Sequence, residues 1–270
     1  LKSLVLADVQ YDLNGIIVAL GKWPQPIEHL DISNTKIKER TYENLIHFIS
    51  KSKTIKSLCV RNSGLKVDKL TGILKAFSVN SKVKTADVDL SNNKLNGKKL
   101  KQVIDLIKAS DKSKWVGLSF DENGLNAADL EALIDLFKQL PQLKKVSLSR
   151  NFTKHTKNIS QTLVNLTTVP TLEHLVIQGS NDKGLGPALI PMLKSLKTSQ
   201  YLKKLDIQMN HIGDEGIGVV SHLLLASRSL VEIEVNGSFP KKQETLIQFF
   251  DVISSNQNLL HCDFPQDDIY

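Results

Sequence analysis

Hydrophobic positions along this chain follow one short pattern, apolar-x-x-apolar-x-apolar, which begins ten times. The first positions are Leu1, Ile27, Ile55, Thr85, Trp115, Leu143, Leu172, Leu202, Leu230 and Leu259, at gaps of 26 to 30 residues. The clearest copies are Leu143-Lys-Lys-Val146-Ser-Leu148-Ser-Arg-Asn151 and Leu202-Lys-Lys-Leu205-Asp-Ile207-Gln-Met-Asn210. Alternation of apolar and polar residues within a copy has the period of a β-strand. In the eighth copy Leu205 and Ile207 are expected to face inward, and Lys204, Asp206 and Gln208 to face an open side. The ninth position suits Asn, whose side chain can satisfy backbone groups where the chain leaves the strand. Asn93, Asn123, Asn151 and Asn210 fit; Val9, Thr35, Ser63, Ser180, Ser238 and Asp267 depart, though most of these can hydrogen-bond.

After each strand the period becomes helical. Over residues 128–140, Leu130, Leu133, Ile134, Phe137 and Leu140 fall on one side. Asp214 is positioned to cap the helix that follows it, and Pro240 suits a helix start near Lys241. One strand and one helix cannot bury their own apolar face, so copies must stack on their neighbours. This pattern resembles the leucine-rich repeat, and the Asp-Leu-Ser-Asn-Asn and Gly-Asp-Glu-Gly turns resemble its ribonuclease-inhibitor type. The expected fold is therefore α/β: a leucine-rich-repeat solenoid of that type, with parallel strands on the concave face and helices on the convex face. Helices are wider than the strand spacing of about 4.8 Å, which bends such a stack into a horseshoe.

The unbroken repeat predicts a single domain over residues 1–270, without a Pro/Gly/Ser-rich linker or a low-complexity tract. No apolar run is long enough to span a membrane, and no signal-peptide pattern opens the chain. Leu1, Leu4 and Leu6 begin a repeat with no cap before them, which leads us to expect a fragment of a larger multidomain protein. Cys59 and Cys262 lie in the third and tenth copies, about 34 Å apart at strand spacing, too far for a disulfide. Free thiols fit a cytoplasmic protein. Three matches to the glycosylation pattern, at Asn158, Asn165 and Asn236, are short enough to arise by chance.

Charge complicates this picture. The formal net charge is +7 and the isoelectric point is near 9.2, as for many nucleic-acid binders. The third, fifth and seventh positions of the copies, which line the concave wall, are nevertheless acidic. They hold Asp31, Asp87, Asp89, Asp121, Asp206, Glu232, Glu234 and Asp263 against Arg61, Lys145 and Lys204. Lysines concentrate instead between each helix end and the next strand, at Lys51, Lys53, Lys82, Lys84, Lys112 and Lys114. Cations at helix C-termini offset the macrodipole, which is one account of this edge. A basic rim facing anionic lipid or an acidic partner is the other. Few aromatics accompany the lysines, so stacking on single-stranded bases is not expected. The acidic wall is the candidate protein-binding face, because a row of like charge costs self-repulsion that a basic partner would relieve.

Candidate chemistry is sparse. His29, His174 and His261 share a strand position but sit in copies two, seven and ten. No zinc-protease helix motif and no Cys-x-x-Cys are present, so no metal site and no cofactor are expected. Gly213-Asp-Glu-Gly216-Ile-Gly218 lacks the Lys-Ser/Thr ending of a phosphate loop. Asp121 and Glu122 on a flat wall would not be desolvated enough to split their acidities for acid–base work. No catalytic residues are expected.

A closer resemblance lies in the order of irregular features. Val88-Asp-Leu-Ser-Asn-Asn-Lys-Leu95 precedes a long helix. Val146-Ser-Leu-Ser-Arg-Asn-Phe152 then runs into the polar stretch Thr153-Lys-His-Thr-Lys-Asn158 and a helix through Leu163, Val164 and Leu166. Leu205-Asp-Ile-Gln-Met-Asn-His-Ile-Gly-Asp-Glu-Gly216 and a divergent closing strand, Leu259-Leu-His-Cys-Asp-Phe-Pro265, follow. This succession resembles the leucine-rich-repeat domain of the CARMIL family, most closely from about Asp87 onward. Its most specific element is the Asn-Phe and polar loop at 151–158. The resemblance implies a cytoplasmic scaffold in actin regulation, linked to capping protein and myosin-I, with association at the cell cortex or plasma membrane through other parts of the protein. The family's lipid-binding, dimerisation, capping-protein-binding and proline-rich segments are not in this chain. The partner implied is a protein, cytoskeletal in kind, with neither nucleic acid nor a small-molecule substrate. A small-GTPase regulator and a receptor- or inhibitor-type binding domain, both known on this repeat, are the alternative readings.

Overall fold

The computed structural model describes residues 2–23, 26–263 and 266–268. Leu1, which opens the first copy, and Phe264 and Pro265, which end the closing motif, lie outside the described residues. Strands and helices alternate in the order β1 (Ser3–Val5), α1 (Asn14–Lys22), β2 (His29–Asp31), α2 (Glu39–Lys51), β3 (Ser57–Cys59), α3 (Val67–Val79), β4 (Ala86–Asp89), α4 (Gly97–Lys108), β5 (Trp115–Ser119) and α5 (Ala127–Phe137). They continue with β6 (Lys145–Ser147), α6 (Ile159–Leu166), β7 (His174–Val176), α7 (Ile190–Ser195), β8 (Lys204–Asp206), α8 (Gly213–Ala226), β9 (Glu232–Glu234), α9 (Gln243–Ser255) and β10 (His261–Cys262). Each strand covers the third to fifth positions of its copy, or most of them, as the apolar pattern predicts. The fold is the expected α/β solenoid of parallel strands alternating with helices.

The chain packs as two compact units, one holding the residues up to 123 together with 139–143, the other 124–138 and the residues from 144 onward. In the first unit β1 to β5 pair in chain order, all parallel. Register aligns Leu30, Leu58, Val88 and Leu118 in one row, each at 2% exposure or less. The neighbouring row on the opposite side of the pleat is Asp31, Cys59, Asp89 and Ser119. In the second unit β6 to β10 repeat the arrangement, with Val146, Leu175, Leu205 and Ile233 buried and Cys262 in the same row. A row of branched aliphatics one strand apart is what makes each strand depend on its neighbours.

Strands of two to five residues make few ladder bonds of their own, so the ninth-position residues carry much of the backbone accounting. The buried Asn210 side chain donates to the carbonyls of Ile177 (2.6 Å), Ile207 (2.9 Å) and Gln208 (3.4 Å) and accepts from the Leu185 amide (3.1 Å). Asn93 does the same in the first unit, donating to Val60, Leu90 and Ser91 and accepting from the Ser63 amide. Asn123 in turn accepts from the amides of Asn93 (2.9 Å) and Leu95 (3.0 Å). Thr35 and Ser238 perform part of this work with a hydroxyl, donating to Leu6 and Ser33 and to Val235 respectively.

Three local expectations are corrected. The helix expected over 128–140 runs Ala127–Phe137, started by a reciprocal Asn126–Asp129 capping box; Leu140 lies beyond it, still buried. Asp214 lies inside α8 and caps the next helix: its carboxylate accepts from the Lys241 and Lys242 amides (3.2 and 3.0 Å) and the Thr245 hydroxyl (2.8 Å). With those amides held, α9 begins at Gln243, close to the start expected after Pro240. Opposite β7 there is no full-length helix. Pro187 and Pro191, which lack an N–H, accompany a 3-10 turn at Gly186–Leu189, the six-residue α7 and a further 3-10 turn at Leu196–Thr198.

Removing the Asn210 amide orphans several buried backbone groups at once. Asn210→Ala is expected to lower unfolding free energy by about 3 kcal/mol, seen as a lower urea midpoint at unchanged slope. Asp214→Ala, which removes a cap, is expected to cost about 1 kcal/mol.

Candidate interaction surface

Side chains at the third, fifth and seventh positions stand on the sheet face away from the helices. In the first unit Asp31, Asp87, Asp89 and Asp121 occupy it together and are all half-buried. Their placement has a local cause. Asp31 and Asp89 accept from the amide two residues on, at Ser33 (2.8 Å) and Ser91 (2.8 Å), which turns the chain out of the strand. Asp87 leans into space left by Gly117 on β5, where a Cβ would stand 2.4 Å from its Oδ1. Arg61 reaches across two repeats to Glu122 (2.5 Å) and Asp121 (3.8 Å). Glu122 is a member of this cluster that position-counting missed, because it sits at the eighth position. The signal available was the Asp-Glu pair itself, two copies away from the wall's arginine.

Cys59 lies between Asp31 and Asp89 in the register and donates its S–H to Asp89 Oδ2 (3.3 Å). Burial, then the charges of Asp89 and Asp31, push its thiol up to about 12. Burial, Asp263 and Glu234 push Cys262 up to about 12 as well. Both cysteines are free, as expected, and both stay protonated at neutral pH.

On the open face of the second unit the acids are engaged with their neighbours. Lys204 bridges Glu232 (2.8 Å) and Glu234 (3.4 Å). Gln208 donates to Glu234 and Asp263, both at 2.9 Å, and Asp263 also accepts from the Val235 and Asn236 amides. Asp206 departs from expectation. Its strand position predicts an open-face group, yet it is 5% exposed, bonded by Gln178 Nε2 (2.6 Å) and the Gln208 amide (3.2 Å). Register places it directly beside Glu234. It is a structural carboxyl more than a contact group.

The basic edge is also revised at one position. Lys51, Lys53, Lys82 and Lys84 are exposed, and Lys112 reaches Gln139 (3.0 Å). Lys114 is buried. Its ammonium donates to the carbonyls of Phe77 (3.4 Å), Ser78 (2.5 Å) and Asn80 (3.0 Å), closing the C-terminal end of α3. In the second unit Lys144 and Lys203 hold Glu173 between them and pull its carboxyl down to about 2. Among the described residues no three His, Cys, Asp or Glu side chains gather as metal ligands, and no helix is long and apolar enough to cross a membrane.

Burial pushes the Asp206 carboxyl up from 3.8 to about 6, and Glu234 adds to the rise, while the bonds from Gln178 and Gln208 oppose it. The folded chain therefore holds this proton more tightly than the unfolded chain. Its contribution to stability is lost as pH rises from about 4 to about 6. Denaturant titrations across that range are expected to show a decline in the unaltered protein that Asp206→Asn removes.

Comparison with known proteins agrees with this geometry. Residues 198–221, which carry β8 and the first part of α8, match the family model described as Leucine Rich repeat. No curated protein sequence matches the chain. Among solved structures, the leucine-rich-repeat-containing protein LegL7 of Legionella pneumophila superposes with a TM-score of 0.64 at 14% identity, over 97% of this chain and 82% of that one. A chain from the complex of Rad7 and Elc1 in yeast gives 0.48 at 16% identity, over 93% of this chain and 76% of that one. The tropomodulin C-terminal domain of Caenorhabditis elegans gives 0.39 at 13%, over 68% and 92%. The strand–turn–helix match over one repeat and the LegL7 superposition agree with the repeat read from the sequence: the chain has the fold of a leucine-rich-repeat solenoid.

Proposed function

We propose that this chain is a non-enzymatic protein-interaction scaffold, and that the open sheet face of its first unit takes a basic segment of a partner protein. The observation that carries the reading is the gathering of Asp31, Asp87, Asp89 and Asp121 on that face, with Arg61 the basic residue among its third, fifth and seventh positions. Like charges one strand apart repel, and a cationic segment laid across them relieves the repulsion. The corresponding face of the second unit sets Lys145 and Lys204 among its acids, which leaves it less net negative charge for a partner.

The finer reading is a CARMIL-like regulator of actin assembly, working in the cytoplasm at the cell cortex. What supports it is the succession of irregular sequence features, above all the loop at 151–158. That loop has its own internal bonds: Phe152 is buried, the Thr153 amide donates to Thr156 Oγ1 (3.0 Å), and Asn158 enters α6 at a left-handed φ of 62°.

The test neutralises charge without removing the turns. Asn at positions 31, 87 and 89 keeps an oxygen for the Ser33 and Ser91 amides. The full chain and the variant Asp31→Asn/Asp87→Asn/Asp89→Asn are used to capture proteins from cytosol at about 0.15 M salt. Identified cytoskeletal proteins are expected on the unaltered chain and about ten-fold less on the variant, a difference of about 1.4 kcal/mol. Equal recovery on both would overturn the site; recovery of proteins outside the cytoskeleton would overturn the finer reading while leaving the scaffold.

A further inference from the structure

We propose that the edge of the first unit where helices end and strands begin is a docking surface for an anionic lipid bilayer, anchored by Trp23. This edge is separate from the open sheet face, so the inference does not rest on the docking reading above. Helices α1, α2 and α3 end at Lys22, Lys51 and Val79, and stacking of parallel repeats brings their exits to one side of the unit. Trp23 ends α1 and is 50% exposed. It lines a cavity of about 390 Å³ together with Leu20, His47, Phe48, Lys51 and Lys53. Val79, at the end of α3, is 64% exposed and is followed by the exposed Lys82 and Lys84.

The macrodipole accounts for lysines at helix C-termini. It does not account for an exposed indole and an exposed valine among them, since each costs free energy in water. A membrane surface accounts for both. Tryptophan settles at headgroup depth with its N–H wet and its ring in the acyl boundary, and lysine stems lie along apolar surface while the ammonium stays at the phosphates. Glu28 is held by Lys2 and Lys56, and Asp111 is turned onto Ser113. Lysine is depleted at protein–protein interfaces, so Lys51 and Lys53 beside one exposed indole fit a folded partner poorly. The second unit, taken by itself, also exposes an aromatic after a helix end, Tyr201, with Lys197 and Lys203 close to it in sequence.

The molecule supplies its own probe. Its two tryptophans are Trp23 and Trp115, and Trp115 is fully buried with its Nε1 donating to Ser110 Oγ (2.8 Å). Any emission change on adding vesicles therefore reports Trp23. The full chain is mixed with vesicles of phosphatidylcholine alone or with phosphatidylserine, in sedimentation and in fluorescence with brominated acyl chains. Binding, a blue shift and bromine quenching are expected with the anionic vesicles and not with the neutral ones. Each lysine near an anionic surface contributes about 1 kcal/mol, so Lys51→Gln/Lys53→Gln is expected to weaken partition about 30-fold. Trp23→Ala is expected to weaken sedimentation while the Trp115 emission stays at its folded position. No sedimentation with anionic vesicles, equal binding to both kinds, or binding without any change in Trp23 emission would each overturn the proposal; the first is the outcome if an acidic protein is the true occupant.

Discussion

The structure depends on how the backbone is satisfied where it leaves each strand. Strands this short cannot hold a sheet by ladder bonds alone, and the aliphatic rows beneath them are non-directional. The ninth-position amides supply the direction. Asn93, Asn151 and Asn210 bind carbonyls around their own turn, Asn123 binds the Leu90 carbonyl of the copy before, and the oxygens of all four take amides from the copy before. A side chain with both donor and acceptor can close two copies at once, and among uncharged short side chains Asn does so at the right reach. Where Thr35 or Ser238 replaces it, one hydroxyl covers only part of the same set.

This constraint shapes the candidate surfaces. Fifth-position aspartates are favoured in part because their carboxylates receive the amide two residues on, so some of the acid on the open face exists for the turn. Function and architecture therefore draw on the same residues. In the first unit the result is a face with more acid than base. In the second, glutamines on adjacent strands and Lys204 absorb the carboxylates, and Asp206 becomes buried beside Glu234.

The repeat period made all ten strand positions legible, because a periodic stack forces every copy into the same register. Less was legible where a residue's role depends on the neighbouring copy. Lys114 looks like the other edge lysines in one dimension, and only the end of α3 at Ser78 and Asn80 makes it a buried cap. Asp206 sits at the same position as Asp31 and Asp89, yet the glutamine beside it in the preceding copy covers it. The shortened helix opposite β7 does not follow from the apolar spacing; Pro187 and Pro191 at the starts of its pieces are the sequence signal for it.

Asp214 shows what such cross-copy roles mean for the chain as a polymer. Its carboxylate belongs to α8, but the amides and hydroxyl it satisfies belong to the entry of α9. The free energy of that start is thus stored in a residue almost a full period earlier. In a linear array with nearest-neighbour coupling, such placement raises interfacial energy at the expense of the intrinsic stability of the copy. The start of α9 is therefore coupled to the integrity of α8.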